Sequence, residues 1–250
     1  MTTREHVARM RDAPIIISTG DKGGIGKSFV QRCLIHNFEA WGVRWKGFDG
    51  DGRNSHLVRF CSALAEVQPH ILKVEADFDQ LLDKIEKADP STTILIDTPA
   101  GFGDLMVQRG QRLAGMAAHL GRRLFRLFAL DEEDDVLMAM EREKSAFGMV
   151  DIIAVLNGRF GPREMFELWD SELPGGMPSF HDQLRQAGGL EIYLPRMPIQ
   201  PRMAVRRLRV PFSEGRRIKG DLSWNEGVNF DEWLISMEKA FLPAREHILG

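Results

Sequence analysis

Residues 20–28 read GDKGGIGKS and decide the fold. The stretch follows the apolar run Ile15 to Ile17, which predicts a buried strand, and leads into a helical pattern from Ser28 to Trp41. Glycines in such a turn let the backbone aim its N–H groups at phosphate oxygens, and the helix start adds partial positive charge. We therefore predict a phosphate-binding loop in which Lys27 contacts the β and γ phosphates and the Ser28 hydroxyl meets Mg²⁺.

Outward from this loop, short apolar runs alternate with longer helical patterns. The predicted strands are residues 15–17, 43–48, 93–96, 124–130, 150–156 and 191–194, and the predicted helices are 28–41, 78–88, 104–120 and 132–147. Continuous apolar strands that alternate with helices predict an α/β fold, with a mostly parallel central sheet flanked by helices on both faces. Such sheets bind ligands at the carboxyl ends of their strands.

Length and charge limit the possible functions. A chain of 250 residues suits one α/β domain, so we expect a single unit over residues 1–250 with a basic, helical C-terminal region at about 200–250. The net charge of -3 excludes a general polycation, so nucleic-acid binding would require a local patch.

Cysteine content and the N-terminus indicate the compartment. Cys33 and Cys61 form no CxxC pair, which indicates a reducing environment. Residues 1–11 are polar and lack an apolar signal core, and no apolar stretch reaches the roughly 18 residues of a membrane span. We therefore expect a cytoplasmic protein with no membrane partner.

Polar residues follow three further predicted strands. Asp49 and Asp51 occur in FDGDGRNS, Asp97 ends the strand of ILIDTPAG, and Asn157 follows VDIIAVL. Read alone, each could simply close a turn after a strand. Because strand ends of a parallel sheet meet at one edge, we expect these side chains to lie near the phosphate loop.

The loop departs from the standard GxxxxGK[ST] pattern in two places. Asp21 stands where that pattern has its first glycine, and a second lysine, Lys22, comes early in the loop. The resulting KGGxGKS resembles the deviant Walker A motif of the ParA/MinD family of P-loop ATPases. FDGDGRNS and ILIDTPAG resemble the two switch segments of that family, and the likeness runs from about residue 14 to about 212.

This resemblance implies ATP and Mg²⁺ as cofactors and a role for each motif. Lys22 would reach across a dimer to the nucleotide of the other subunit, much as an arginine finger does. Asp51 would orient the attacking water. The implied catalytic residues are Lys22, Lys27 and Asp51, and the implied metal site comprises Ser28, Asp49 and Asp97. The implied nucleotide contacts are Gly23, Gly24, Ile25, Gly26, Lys27, Ser28 and Phe29, with Gly101 at the γ-phosphate and Asn157 and Pro198 at the base.

A basic cluster near the C-terminus suggests a partner. In ParA-like partition ATPases, basic residues in this part of the chain hold DNA without sequence preference, and arginine suits phosphate contacts. A solvated helix face is the alternative interpretation. The cluster consists of Arg202, Arg206, Arg207, Arg209, Arg216, Arg217 and Lys219, opposed only by Glu214.

The resemblance therefore implies a Mg²⁺-dependent ATPase that is slow and stimulated by an unidentified protein. It would pair with itself on ATP and position or segregate DNA in plasmid partition or conjugation, associated with the nucleoid. The alternative is a MinD-like ATPase that regulates or assembles a protein partner without DNA. Iron–sulfur relatives are disfavoured because no cysteine follows Cys61. We expect the acidic run Asp131 to Asp135 to complement the dipole of a helix that starts there.

Overall fold

The structure, a computed structural model, describes residues 12–52, 54–148 and 151–250. The polar segment 1–11 and Val150, the first residue of a predicted strand, lie outside the described residues. The strands are β1 Asp12–Thr19, β2 Trp45–Asp49, β3 Val67–Pro69, β4 Thr93–Asp97, β5 Arg122–Leu130, β6 Ile152–Asn157 and β7 Leu190–Leu194. The α-helices are α1 Lys27–Trp41, α2 His56–Cys61, α3 Glu75–Glu86, α4 Gly103–His119, α5 Asp134–Phe147, α6 Glu167–Asp170, α7 Phe180–Gln186, α8 Ile199–Leu208, α9 Gly215–Lys219 and α10 Trp224–Leu249.

The seven strands form one parallel sheet in the order β3-β2-β4-β1-β5-β6-β7. Strands β2, β3 and β4 lie on one side of β1, and the later strands β5, β6 and β7 lie on the other side. The strand order therefore reverses at β1. Ligand sites of open parallel sheets form at such a reversal. The predicted α/β class is confirmed, and the loop after β1 opens at the expected edge.

Alternating side chains of the strands bury two separate apolar layers. Ile16 and Leu95 face the layer that includes the buried side of α1, whereas Ile15, Ile17 and Ile94 face the layer beneath α3 and α4. A strand that is covered on both faces has no polar side, and this explains the continuous apolar runs in the sequence.

Two elements after β2 have no counterpart among the predictions. The six residues of α2 and the three of β3 are too short for a hydrophobic period to be recognised. Asp49 initiates α2, because its Oδ2 accepts the Val58 N–H at 3.1 Å. In the glycine- and proline-rich stretch 174–178, a bridge between Leu173 and Met177 closes a turn.

The last helix belongs to the main apolar core. Trp233, Met237 and Phe241 of α10 are buried, and the indole of Trp233 donates to the Pro195 carbonyl at 2.9 Å. The apolar face of this helix, which includes Trp233, Met237 and Phe241, therefore packs in the core. No α-helix of the described residues is long and apolar enough to cross a membrane.

Candidate functional site

The phosphate loop joins β1 to α1 through a sharp left-handed turn. Gly26, directly before α1, has φ 99°, a conformation that side chains rarely adopt. A Cβ at Gly26 would also lie 2.5 Å from Nδ2 of Asn157. Glycine is thus required there both by backbone conformation and by the close approach of the β6 end.

Lys27 points back into the loop that precedes it. Its Nζ donates to the carbonyl oxygens of Gly20 at 2.8 Å and Lys22 at 3.0 Å. Burial lowers the pKa of Lys27, whereas the Asp97 carboxylate raises it. The ammonium group therefore lies inside the loop, at the position where phosphate oxygens are expected.

Asp97 lies beneath the loop, and only one of its two carboxylate oxygens has a hydrogen-bond partner among the described residues. Its Oδ1 accepts the Ser18 hydroxyl at 3.0 Å, while Oδ2 is buried and has no hydrogen-bond partner among the described residues. Burial raises the pKa of Asp97 to about 7, and the nearby Ser28 hydroxyl lowers it. Mg²⁺ prefers such oxygen ligands and is usually held by one or two carboxylates, so Ser28 and Asp97 fit this ion. The described residues contain no group of three or more histidine, cysteine, aspartate or glutamate side chains for a metal held by protein alone.

The D-x-D segment is divided between structural and site roles. Both oxygens of Asp49 accept backbone N–H groups, from Asp51 at 3.2 Å and Val58 at 3.1 Å. These bonds fix the position of the Asp49 carboxylate, and its role at the metal stays a prediction. Asp51 instead lines the cavity in front of the loop. Gly50 between them donates to the Asp97 carbonyl at 2.8 Å, and a Cβ there would lie 2.7 Å from that oxygen.

Lys22 is held by acidic residues of its own chain. Its Nζ lies 2.8 Å from Asp131 Oδ2, 2.9 Å from Glu133 Oε2 and 3.7 Å from Asp135 Oδ2. These hydrogen bonds raise the pKa of Lys22 above its usual range, and Asp131 is buried. The acidic run was predicted only to complement the helix dipole at the start of α5. In the structure, part of the run also forms ion pairs with Lys22 of the loop.

Asp21 connects the loop to the segment after β4. Its carbonyl accepts the Gly101 N–H at 2.9 Å, and its carboxylate accepts the Gly103 N–H. The same carboxylate pairs with Arg142 of α5 at 2.9 Å. The Gly101 N–H that was predicted to meet the γ-phosphate is therefore bound to the loop in this structure.

The predicted base end of the site also touches the loop. Asn157 donates from Nδ2 to the Ile25 carbonyl at 2.8 Å, and its Oδ1 accepts the Arg159 N–H at 3.1 Å. Its use in reading adenine remains a prediction. Met197 lines the same cavity, whereas Pro198 lies next to it and begins α8.

Most of the loop residues line one cavity of about 680 Å³, which is large enough for a nucleotide, whereas Asp49, Asp97, Gly101 and Pro198 do not line it. Predicted residues that line it are Lys22, Gly23, Gly24, Ile25, Gly26, Lys27, Ser28, Phe29, Asp51 and Asn157. The lining also contains residues that were not predicted, namely Arg32, Arg59, Arg159 and Arg196. Arg32 lies one helical turn beyond Phe29, and that spacing was the available signal.

The seven basic residues proposed for DNA are not one surface. Arg202, Arg206 and Arg209 line the cavity. Three others form ion pairs, which are Arg207 with Asp221, Arg217 with Glu214, and Lys219 with Asp231. Arg216 is exposed on α9. The cluster expected from sequence is therefore split between the cavity and the outer surface.

Comparison with known proteins agrees with this architecture. No protein-family model matches the chain. Protein MobD from Acidithiobacillus ferrooxidans is 23% identical over 183 residues, which are 73% of this chain and 78% of MobD. The signal recognition particle receptor FtsY from Elizabethkingia anophelis has a TM-score of 0.50 at 11% identity, over 90% of this chain and 66% of FtsY, just under two thirds of its length. The cell division protein MinD from Aquifex aeolicus has a TM-score of 0.49 at 14% identity, over 90% of this chain and 97% of MinD. At these identities the likeness concerns the fold, and the chain has the P-loop NTPase fold.

Proposed function

We propose that this protein is a Mg²⁺-dependent ATPase that acts as a switch. ATP pairs two copies, the pair binds a partner, and hydrolysis to ADP and phosphate separates the copies. The observation that carries the proposal is the buried Oδ2 of Asp97, which lies near Ser28 beneath the phosphate loop and has no hydrogen-bond partner in the part of the chain that the structure describes. The whole chain would act as one unit, since α10 contacts α1 through Asn37 and Met237.

The residues around the cavity would divide the work of hydrolysis. Lys27 and the backbone N–H groups of Gly23 to Ser28 would hold the phosphates, and Asp51 would orient the attacking water. Ser28 and Asp97 would hold Mg²⁺, which neutralises the charge that develops on the phosphates. Phosphoryl transfer depends on such positioning, so slow turnover is expected until a partner completes the geometry.

Pairing requires that Lys22 change its contacts. In the described chain its ammonium group lies within 3 Å of both Asp131 and Glu133. A lysine that crosses to the other subunit must first leave these carboxylates. We infer that exchange of Lys22 from its own acids to the nucleotide of the other copy couples ATP to pairing.

The partner would be DNA or another protein. DNA, contacted by exposed arginines such as Arg216, would place the protein in plasmid partition or conjugation, in the cytoplasm and on the nucleoid. One observation favours the alternative of a protein partner: Arg202, Arg206 and Arg209 line the nucleotide cavity and leave a smaller basic surface outside.

Pairing and hydrolysis can be tested by light scattering and phosphate release with ADP or with ATP plus Mg²⁺. We expect dimers only with ATP, loss of dimers in Lys22→Ala, and dimers that persist without turnover in Asp51→Ala. Arg245→Ala, which removes an exposed arginine of α10 far from the loop, serves as the control. Normal pairing by Lys22→Ala would refute the crossing role, and normal turnover by Asp51→Ala would refute the water-orienting role.

The partner can be tested with random-sequence duplex DNA at two salt concentrations. Binding that needs ATP and falls steeply with salt would support DNA, because displaced counterions make phosphate contacts salt-dependent. Arg216→Ala should then weaken binding. If the ATP dimer forms but no DNA binds, the protein-partner alternative stands and the DNA proposal fails.

A further inference from the structure

The cavity holds more positive charge than one nucleotide needs. Among the residues that the structure describes, its lining includes seven arginines and two lysines but one carboxylate, Asp51. The loop lysines and the start of α1 already serve a triphosphate that is partly neutralised by Mg²⁺. Four of the arginines, Arg32, Arg59, Arg202 and Arg206, belong to the end of the cavity that α1, α2 and α8 form.

Arg32 of α1 is the most unusual of these arginines because it is buried without a counter-ion. Only 6% of its surface is exposed, and its Nε and Nη2 have no hydrogen-bond partner in the described parts of the chain. Its guanidinium lies 3.7 Å from the ring centre of Phe60 and 4.6 Å from that of Phe212. These rings fix its position but cannot neutralise a desolvated cation, which makes an anionic ligand favourable there.

Three more basic groups converge on the same end of the cavity. Arg59 and His56 of α2 and Arg206 of α8 line it together with Arg32. Burial and the positive charges of Arg32, Arg59 and Arg206 lower the pKa of His56, which places all four groups within electrostatic reach of one another. The structure gives no ion pair between Arg32, Arg59 or Arg206 and any residue that it describes.

We propose that Arg32, Arg59, Arg206 and His56 form a second phosphate site, which binds a phosphate group at the same time as a nucleotide occupies the loop. This rests on the proposed function only in placing the nucleotide at Gly23 to Ser28. A phosphate dianion suits the site better than a carboxylate, because guanidinium forks from several directions match a tetrahedral group with three terminal oxygens. Neutral His56 adds one donor or acceptor.

Two sources could supply this phosphate within one continuous cavity. One is the nucleotide itself, if its ribose carries a 2′- or 3′-phosphate. Phe29, which follows the loop and precedes Arg32 by one helical turn, lines the cavity and was predicted to contact the nucleotide. The other source is a separate small phosphate. The chemistry at Arg32 is the same, and the choice of probe distinguishes the two.

The test measures binding by calorimetry at constant ionic strength. The probes are inorganic phosphate, added with and without saturating ADP, and the set of AMP, adenosine 2′,5′-bisphosphate and adenosine 3′,5′-bisphosphate. The variants are Arg32→Gln, Arg59→Ala and Arg206→Ala, with Arg245→Ala as the control. Arg59 and Arg206 are exposed, so their variants remain informative if loss of the buried Arg32 disturbs folding.

If the ribose phosphate is the source, one bisphosphate should bind roughly ten- to hundredfold more tightly than AMP, as expected for charge-assisted hydrogen bonds. If the source is separate, inorganic phosphate should bind the ADP complex. Either gain should disappear in the three site variants and persist in Arg245→Ala. The proposal would be overturned if none of the three variants changed the binding of any phosphate probe. Failure of ADP to bind while inorganic phosphate still binds through Arg32 would instead refute the proposed nucleotide function alone.

Discussion

Glu143 of α5 provides a quantitative test of the electrostatics behind the loop. Only 1% of the residue is exposed, and burial raises the pKa of its carboxyl from 4.5 to about 7. The Arg126 guanidinium and the Gly20 N–H act in the opposite direction but more weakly. The folded protein therefore binds this proton more tightly than the unfolded chain does.

The sign of the effect follows from linkage. A carboxyl with a raised folded pKa stabilises the protein below pH 4.5, and this contribution is lost as the pH rises towards 7. The shift corresponds to about 3 kcal/mol in total, since each pKa unit represents about 1.4 kcal/mol. Glutamine resembles the protonated carboxyl at all pH values. Glu143→Gln should therefore match the wild type near pH 4, and its excess in free energy of unfolding should grow by about 2.5 kcal/mol between pH 5 and pH 8.

Urea denaturation of both proteins at pH 5, 6, 7 and 8 measures this difference. Asp97, whose pKa is also about 7, titrates in both proteins and cancels in the comparison. Glu141→Gln is the matched control, because Glu141 lies on the exposed side of α5 and pairs with Lys144. Unfolding free energies of Glu143→Gln and wild type that run parallel from pH 5 to pH 8 would refute the argument.

Three further changes test other contacts of the site. Asp131→Asn should strengthen ATP-dependent pairing about tenfold or more, because it removes a charge-assisted hydrogen bond worth roughly 1.5–3 kcal/mol that holds Lys22 in its own subunit. Light scattering at graded protein concentrations measures this pairing, and unchanged or weaker pairing would contradict the prediction. Arg209→Gly should raise the free energy of unfolding by about 1 kcal/mol, since Arg209 has φ 53° and glycine tolerates that conformation; a loss of stability in urea would show that the arginine contributes more than strain. Gly50→Ala should lower stability by about 1–3 kcal/mol, because its Cβ would lie 2.7 Å from the Asp97 carbonyl, and a thermal midpoint within a degree of wild type would disprove this close approach.

The sequence was sufficient for six of the seven strands and for the position of the phosphate loop. β4 and β6 are apolar on both faces, so their runs are visible without tertiary information. Contacts made by folding over long distances were not visible. Nothing in GDKGGIGKS shows that Lys22 meets Asp131, because that contact depends on β1 and β5 being neighbours in the sheet.

The division of the C-terminal arginines was partly readable. Arg202, Arg206 and Arg209 are spaced four and three residues apart, which is the spacing of one helix face, and that face lines the cavity. The basic residues were instead grouped by density along the chain. Their positions around the helix separate the arginines that line the cavity from those on the outer surface, whereas their number per length of chain does not.

Lys27 has a consequence for the choice of a nucleotide-free reference. Its ammonium group donates to the Gly20 and Lys22 carbonyls, so it supports the loop before any phosphate arrives. Substitution by alanine would leave both carbonyl groups without that donor, and the loop could relax as well as lose affinity. A Lys27→Ala protein would therefore mix two defects in one measurement. Wild-type protein stripped of nucleotide is the cleaner baseline against which every other variant of this site should be compared.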